Sequence, residues 1–273
     1  MARKDDLTDE LLIDGLGGID GTSGDDYWSH ARRPLACLLF LCPLLILYET
    51  GVFCLGGEQP ELIRNGADHW MRSWLSHAGL AQTLLLPAIV VVGLLAWQVW
   101  GKFPWRVAPE TLLGMLAESL LFAFALVVIG QMQDIMFRHS IAQFASPPFV
   151  TEAQAATLVS MQSLPRAISF LGAGVYEEVL FRLCLLPACY GLFRMLCVPH
   201  KQAAVVSIVL TSLVFSVAHY VGPSADQFSA FSFAFRVFAG LFFAGLFVLR
   251  GFGITAGCHA AYDVLVGVLL QTP

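Results

Sequence analysis

The sequence predicts an all-α fold, a polytopic membrane helical bundle with about seven transmembrane helices plus one or two surface amphipathic helices. Two observations predict this class. Hydrophobic residues make up 57% of the 273 residues and charged residues only 13%, which is about half the charged share of soluble domains. Long apolar runs also recur along the chain, near the roughly 20 residues that a helix needs to cross the hydrocarbon core of a bilayer.

The first segment, residues 1–33, is predicted to be a disordered acidic amino-terminal tail. It is polar and rich in glycine and aspartate, and the first apolar run begins only after it. A signal peptide starts instead with a short basic segment. Much of the net charge of −5 comes from this tail. The sequence has no basic patch of the kind that binds nucleic acid.

Seven apolar segments follow, and each is predicted to cross the membrane. They lie at about residues 34–54, 80–100, 111–130, 165–197, 203–221, 228–250 and 253–270. The first two belong to an amino-terminal part, residues 34–110. The fourth is long, and we expect it to be broken near Pro187.

Two of the connections between these segments are too polar to span. Within residues 60–78, apolar side chains recur at roughly helical spacing with charged ones between them, which predicts an interfacial amphipathic helix. The apolar residues are Leu62, Trp70, Trp74 and Leu75, and the charged ones are Arg64, Asp68 and Arg72. The second connection, residues 131–162, is predicted to be a loop with one surface helix that could act as a lid.

The distribution of Lys and Arg predicts the orientation, because cytoplasmic loops carry an excess of both. An amino terminus in the cytoplasm places nine of them on that side, at Arg3, Lys4, Arg32, Arg33, Lys102, Arg106, Arg194, Lys201 and Arg250. The other side then holds four, at Arg64, Arg72, Arg138 and Arg166. We therefore expect the amino terminus to be cytoplasmic.

Glu177, Glu178 and Arg182 lie in the middle of the fourth span, although a charge at the centre of a membrane helix costs about 2.5–3.5 kcal/mol. Glu178 and Arg182 are one helical turn apart, so they can pair. Glu177 points about 100° away and is left without a local partner. It could hold a proton, activate a water or bind a metal. The alternative is that all three form a structural ionic lock between helices.

Two later spans each carry a histidine with a partner one turn away. Phe215 and His219 lie on the fifth span, where Phe215 can pack against the imidazole and fix its orientation. His259 and Asp263 lie on the seventh, and the aspartate can accept a hydrogen bond from the imidazole and select its tautomer. A lone histidine in a membrane helix can also be only a hydrogen-bond partner of another helix.

Other features of the spans have mainly structural interpretations. Gly253, Gly257 and Ala261 form a stripe of small residues that permits close contact with a neighbouring helix. Three further charged residues, Glu49, Glu118 and Arg236, each stand alone in the sequence. Glu118 could support a site from the third span or make a structural hydrogen bond.

Several intramembrane chemistries lack their motifs in this sequence. Neither histidine of the spans lies in the HExxH motif of zinc proteases. No predicted span contains the GxSG-like nucleophile of rhomboid-type serine proteases or the GxGD of presenilin-like aspartyl proteases; the only GxSG in the sequence, residues 21–24, lies in the polar tail. A proton-coupled transporter would be expected to show paired repeats, and the sequence has no convincing internal repeat.

The three motifs, taken together, have a known counterpart. They read EExxxR at Glu177, Glu178 and Arg182, FxxxH ending at His219, and HxxxD from His259 to Asp263. In this order, on successive membrane helices, they resemble the CPBP family of CAAX proteases and bacteriocin-processing enzymes, also called the Abi family. The resemblance covers about residues 165–270. With the third span added, it predicts a catalytic core over residues 111–273.

The resemblance implies an intramembrane endopeptidase that hydrolyses a peptide bond in a membrane-associated or lipidated peptide or protein. Glu177 and His219 would hold and deprotonate the attacking water, and Glu178 with Arg182 would orient Glu177. His259 and Asp263 would stabilise the oxyanion. The family accepts Asn or Asp at the last position, and an ionised aspartate is a poor direct donor. We therefore expect Asp263 to act by holding His259.

We expect no tightly bound metal cofactor. The alternative is zinc, held by Glu177, His219 and His259 with a water as the fourth ligand. The expected partners are membrane lipid and a peptide or protein substrate presented at the membrane, with no nucleic acid. Two other functions stay open at this stage: a non-catalytic membrane module, such as an immunity or scaffold protein, and an ion or proton carrier.

Overall fold

A computed structural model describes residues 27–80, 82–141, 163–222 and 225–270. These residues form helices and contain no strand, which confirms the all-α prediction. The helices are α1 (Tyr27–Ala31), α2 (Pro34–Gly56), α3 (Gly66–His77), α4 (Leu85–Trp100), α5 (Pro109–Ile141), α6 (Ser163–Glu178), α7 (Leu186–Met195), α8 (His200–Ala218), α9 (Ala230–Arg250) and α10 (Phe252–Val264). A 3₁₀ turn (Pro60–Leu62) precedes α3, and π-helical stretches follow α6 (Val179–Leu185) and α10 (Leu265–Leu269).

Within the described residues, five helices are long and apolar enough to cross a membrane, against the seven spans predicted. They are α2, α5, α8, α9, and α10 with its π-helical extension. The second predicted span differs because α4 has only 16 residues. It is apolar but shorter than the roughly 20 residues of a typical span.

The fourth predicted span also differs, because α6 and α7 are joined by the π-helical stretch Val179–Leu185. Pro187 lies at the start of α7. A proline has no amide hydrogen and its ring crowds the carbonyl four residues earlier, so the preceding turn cannot keep regular α geometry. The interruption expected near Pro187 therefore occurs just before it, as a widened turn that contains Arg182.

The centre of the bundle is α10, whose residues from Phe252 to Ala260 are all buried. It packs closely against α5 and α6. Two glycines make these approaches possible. A Cβ at Gly257 would lie 2.7 Å from the Ser119 hydroxyl of α5, and one at Gly174 would lie 2.5 Å from the Ala260 backbone nitrogen. The second contact brings the carboxyl end of α6 next to His259.

Helix α3 corresponds to the predicted interfacial helix, and one of its faces is buried against the protein. Ala67, Asp68 and Met71 are buried, whereas Trp74, nearer the carboxyl end of the helix, is 59% exposed. The side chain of Asn65 caps the helix by accepting a hydrogen bond from the Asp68 amide at 3.0 Å. The position of α3 at a membrane surface stays a prediction.

Two predicted segments lie largely outside the described residues. The predicted tail, residues 1–33, is described only in its last part, which includes α1. The predicted loop, residues 131–162, begins as a continuation of α5 to Ile141, because no proline or glycine interrupts the helix formers after Gly130. The remainder of this loop, and with it the proposed lid, is outside the described part of the chain.

The prediction that Glu49, Glu118 and Arg236 stand alone is wrong. Glu49 pairs with Arg72 at 2.8 Å. Glu118 pairs with Arg250 at 2.6 Å, and Arg236 pairs with an aspartate of the α8–α9 loop. Each partner lies on a different element of the fold, so spacing along one helix could not indicate it.

Candidate active site

The last turn of α6 places Glu178 in the interior of the bundle. Its side chain is fully buried. Oε1 lies 2.7 Å from Nδ1 of His259 and 3.0 Å from Nη1 of Arg182. A carboxylate accepts hydrogen bonds, so Nδ1 of His259 is the nitrogen that donates. Glu178 was expected to orient Glu177, and the structure places it instead behind His259.

His259 is held on three sides. Besides the hydrogen bond to Glu178, its ring stacks on Phe243 with a centroid distance of 4.5 Å and an interplanar angle of 20°. Its Nε2 lies 3.5 Å from Oδ2 of Asp263 and 3.9 Å from Oε2 of Glu177. The imidazole therefore presents Nε2 to the two carboxylates that face the site.

His219 reaches the same point from the carboxyl end of α8. Its Nδ1 lies 2.8 Å from the backbone carbonyl of Phe215. Because a carbonyl only accepts, Nδ1 donates and Nε2 is left as an acceptor. Nε2 lies 3.8 Å from Oε2 of Glu177. The ring of Phe215 contacts the His219 ring edge-on at 4.9 Å, as expected from their spacing.

Glu177 thus points between two imidazoles that come from different helices. Its Oε2 is buried and makes no hydrogen bond to any described residue. The distances of 3.8 and 3.9 Å to the two Nε2 atoms are too long for hydrogen bonds. Separations of this size are typical of polar atoms that a water molecule bridges.

Arg182 stabilises the buried side of this arrangement. Its Nη1 contacts Glu178 at 3.0 Å, and its Nη2 donates to the Gly240 carbonyl at 3.2 Å. The guanidinium carbon lies 4.7 Å from the centre of the Phe215 ring and 5.4 Å from that of Phe243. Salt bridge and cation–π contacts together offset the cost of burying the charge.

A cavity of about 300 Å³ opens onto this cluster. Glu177 and His219 line it, with side chains 12% and 24% exposed. Glu178 and His259 are almost completely buried behind them. Asp263 is 22% exposed. The six predicted residues therefore divide into a pair that faces the cavity and a group that supports it.

The sequence did not indicate the opposite wall of this cavity. It includes Arg64 and Trp70, from the segment of α3 and the turn before it, and Asp226 from the loop after α8. For Arg64 and Trp70, the only signal in the sequence was the amphipathic pattern of residues 60–78. A second cavity, of about 840 Å³, lies beside the first, and Arg64 is among the residues that line both.

The zinc alternative requires three donors grouped around one point. Among the residues that the structure describes, no group of three His, Cys, Asp or Glu side chains is arranged to hold a metal ion. As placed, Glu177, His219 and His259 do not fit zinc coordination, and we derive no step through a metal.

The amino-acid sequence from just before α6 to the end of α10 also matches a known family. Residues 159–265 match the model described as "Type II CAAX prenyl endopeptidase Rce1-like". This segment is therefore similar to the Rce1-like family. The match confirms the resemblance to the CPBP family that the three motifs predicted.

The Rce1-like segment contains all six predicted site residues and leaves out α1 to α5. Members of this family are CAAX-type intramembrane proteases. Together with the apolar helices, the match identifies an integral membrane protein. No curated protein and no solved structure matches the chain.

Proposed function

We propose that the protein is an intramembrane endopeptidase in which Glu177 and His219 activate water. One observation carries this proposal. Oε2 of Glu177 has no hydrogen-bond partner among the described residues, yet it faces two imidazole Nε2 atoms at the end of a cavity. Oε2 of Glu118 and Oε2 of Glu178 also lack a hydrogen-bond partner, so the proposal depends on the position of Glu177 between two imidazoles at a cavity.

The first chemical step is the attack of water on the scissile carbonyl. A water between Glu177 and His219 gives one proton to the carboxylate and donates its other hydrogen to Nε2 of His219. The carbonyl of Phe215 holds His219 in the tautomer that can accept this hydrogen bond. A carboxylate base at hydrogen-bond distance from the nucleophilic water contributes about 10²–10⁴-fold to the rate.

The tetrahedral intermediate carries a negative oxygen, and His259 is the group available to stabilise it. Nδ1 donates to Glu178, so Nε2 donates to the oxyanion when the ring carries its second proton. Glu178 and Asp263, on either side of the ring, offset that positive charge. Asp263 acts through His259 in this scheme and does not itself donate to the oxyanion.

Collapse of the intermediate breaks the carbon–nitrogen bond. Glu177, now protonated, gives its proton to the leaving amine, and the carboxylic acid product retains the oxygen of the water. The carboxylate of Glu177 is regenerated without another reactant. The scheme needs no tightly bound metal, and we propose that none takes part.

The substrate class that we propose follows from the family. The chain would act on prenylated or otherwise membrane-associated peptides, whose lipid remains in the bilayer while the peptide enters the cavity. We also propose that the amino terminus lies in the cytoplasm, since with the seven predicted spans nine of the thirteen Lys and Arg outside them lie on that side.

The test is cleavage of a farnesylated peptide with a CaaX carboxyl terminus, and of its unlipidated counterpart, by the purified protein in proteoliposomes. Mass spectrometry would identify the new carboxyl and amino termini. We expect cleavage by the wild type and its loss in Glu177→Ala and His219→Ala. Glu110→Gln, at the start of α5, is the control and should keep full activity. Retained turnover in both alanine variants would end the proposal.

A further inference from the structure

The residue just before Glu177 connects the candidate active site to a different part of the chain. Tyr176 is fully buried, and its hydroxyl donates to Oε1 of Glu49 on α2 at 2.6 Å. The ring of Tyr48, also on α2, lies edge-on to the Tyr176 ring at 5.5 Å. Neither contact was indicated by the motifs.

Glu49 belongs to a group of polar and charged residues that contact one another. We call it the N-terminal polar cluster: Tyr48, Glu49, Arg64, Asp68 and Arg72. Arg72 contacts Glu49 at 2.8 Å and Asp68 at 2.5 Å. Asp68 also accepts from Arg64 at 2.7 Å and from the Tyr48 hydroxyl at 2.6 Å. All five residues lie outside the Rce1-like segment, residues 159–265.

The N-terminal polar cluster is a rigid anchor. Asp68 has no exposed surface, and the side chain of Arg64 is only 4% exposed. Burial lowers the pKa of Arg64, but the hydrogen bond and charge of Asp68 outweigh it, so that this pKa lies above its usual value. The guanidinium therefore stays charged, and the carboxylates stay paired with it.

Three successive residues of α6 consequently have three different partners. Side chains on a helix advance by about 100° per residue, so Tyr176, Glu177 and Glu178 point in three directions. Tyr176 is tied to the N-terminal polar cluster, and Glu178 is tied to His259 on the opposite part of the bundle. Only Glu177, between them, is left facing the cavity.

Fixing both neighbours fixes the rotation of the helix about its axis. A carboxylate held about 6 Å from that axis moves by about 1 Å for each 10° of rotation. A misplacement of about 1 Å can lower the rate of a catalysed reaction by about 10²-fold. If the hydrogen bond of the Tyr176 hydroxyl were lost, a small rotation of α6 would therefore move the carboxylate of Glu177 out of position.

We propose that the hydrogen bond from Tyr176 to Glu49 positions Glu177 for catalysis, so that the N-terminal helices are a working part of the active site. This inference rests on the proposed function, in which Glu177 is the base. Tyr176 and Glu49 are positioning residues, because neither lines the 300 Å³ cavity.

Tyr176→Phe is the principal test, since it removes one oxygen atom and keeps the ring against Tyr48. We expect kcat to fall about 10- to 100-fold, with KM for the lipidated peptide unchanged. Tyr190→Phe is the matched control. It removes a hydroxyl that contacts Nδ1 of His200 at 3.0 Å, outside the N-terminal polar cluster, and kcat should stay within about twofold of wild type.

Variants of the acceptor complete the test. Glu49→Gln keeps an oxygen that can accept from Tyr176, so we expect kcat to remain within about threefold of wild type. Glu49→Leu removes the acceptor and should lower kcat as Tyr176→Phe does. The double variant Tyr176→Phe, Glu49→Leu should be no slower than the slower single variant, because both remove one interaction.

A second measurement tests positioning without turnover. In protein labelled at the histidine ring carbons, the NMR signal of His219, assigned through His219→Gln, reports on the neighbouring Glu177. We expect Tyr176→Phe to shift this signal and Tyr190→Phe to leave it in place. Wild-type kcat in Tyr176→Phe, or an unshifted signal, would overturn the inference. If the wild type cleaves nothing, the proposed function fails, and the NMR comparison still decides whether Tyr176 positions Glu177.

Discussion

Two buried groups of charges among the residues that the structure describes are built differently. In the N-terminal polar cluster, both oxygens of Asp68 accept hydrogen bonds and Glu49 accepts two, from Arg72 and from Tyr176. In the catalytic group, Oε2 of Glu177 accepts none and is flanked by imidazoles at 3.8 and 3.9 Å. The side chains of Glu49 and Glu177 are equally exposed, at 12%, so the difference does not come from solvent.

Under the proposed function, the charges of the N-terminal polar cluster hold the fold and the charges around Glu177 take part in the chemistry. Burying a charge is costly unless partners compensate it, and a structural network reaches its lowest free energy when its carboxylates are paired. A carboxylate that must receive a proton from water cannot be saturated in this way. The incomplete pairing of Glu177 is therefore what the proposed base requires.

The largest expected effect is on turnover, in Glu177→Gln. We expect kcat to fall by about 10³-fold or more, because an amide cannot accept the proton of water. Unfolding should be unchanged or occur at a higher denaturant concentration, since a poorly paired buried charge is removed. Peptide cleavage and chemical unfolding in micelles measure the two. If Glu177→Gln were less stable than the wild type and kept its turnover, Glu177 would hold the fold and would not be the base, contrary to the proposal.

The second effect is on stability, in Asp68→Asn. Loss of this charge leaves Arg64 and Arg72 incompletely paired, so we expect the free energy of unfolding to fall by about 3–5 kcal/mol. The folded fraction should retain wild-type KM. Chemical unfolding followed by circular dichroism gives the value, with Glu61→Gln, at a more exposed position, as the control. Wild-type stability would show that the N-terminal polar cluster is not a structural anchor.

Glu178→Gln should show both kinds of effect at intermediate size. A hydrogen bond to a charged group contributes about 1.5–3 kcal/mol, so weakening the hold on His259 should lower kcat about 10- to 100-fold. Stability should also fall because Arg182 loses its carboxylate. Measuring kcat and unfolding on the same preparation separates the two. If only the stability changed, Glu178 would hold the fold and would not support catalysis through His259.

A smaller effect is expected for Asp263→Asn. The distance of 3.5 Å from His259 Nε2 indicates a weak interaction. The loss of about 0.5–1.5 kcal/mol corresponds to a two- to tenfold lower kcat. Steady-state kinetics on the lipidated peptide measures it. A decrease of about 10³-fold would mean that the carboxylate itself takes part in the chemistry.

No effect is expected from metal removal. Dialysis against 1,10-phenanthroline should leave turnover at its untreated value, and elemental analysis of the purified protein should find less than one zinc per chain. If the chelator abolished turnover and added zinc restored it, a metal would lie between Glu177 and the imidazoles. That result would contradict the metal-free scheme.

The local part of the site could be predicted from the sequence. Residues four apart share one face of a helix, and this rule placed Glu178 with Arg182, Phe215 with His219, and His259 with Asp263. The fold class could be predicted equally well, because a continuous apolar run long enough to cross a bilayer satisfies its backbone hydrogen bonds there as an α-helix. The resemblance to the family then indicated that the three helices meet.

The long-range contacts could not be predicted in this way. Glu178 is 81 residues from His259, and Glu49 is 127 residues from Tyr176. Such pairs depend on which helices pack together and how each is rotated, and a single sequence contains no period that reports this. The same reason explains why the wall formed by α3 and the partner of Glu118 were missed.

The order of residues in "YEE" has an evolutionary consequence. One inserted or deleted residue between Gly174 and Tyr176 would turn everything after it by about 100° relative to the glycine that packs on Ala260. Tyrosine, base and supporting glutamate would each then face the wrong neighbour at once. Descendants of this gene can therefore exchange side chains around the turn more readily than they can change its length.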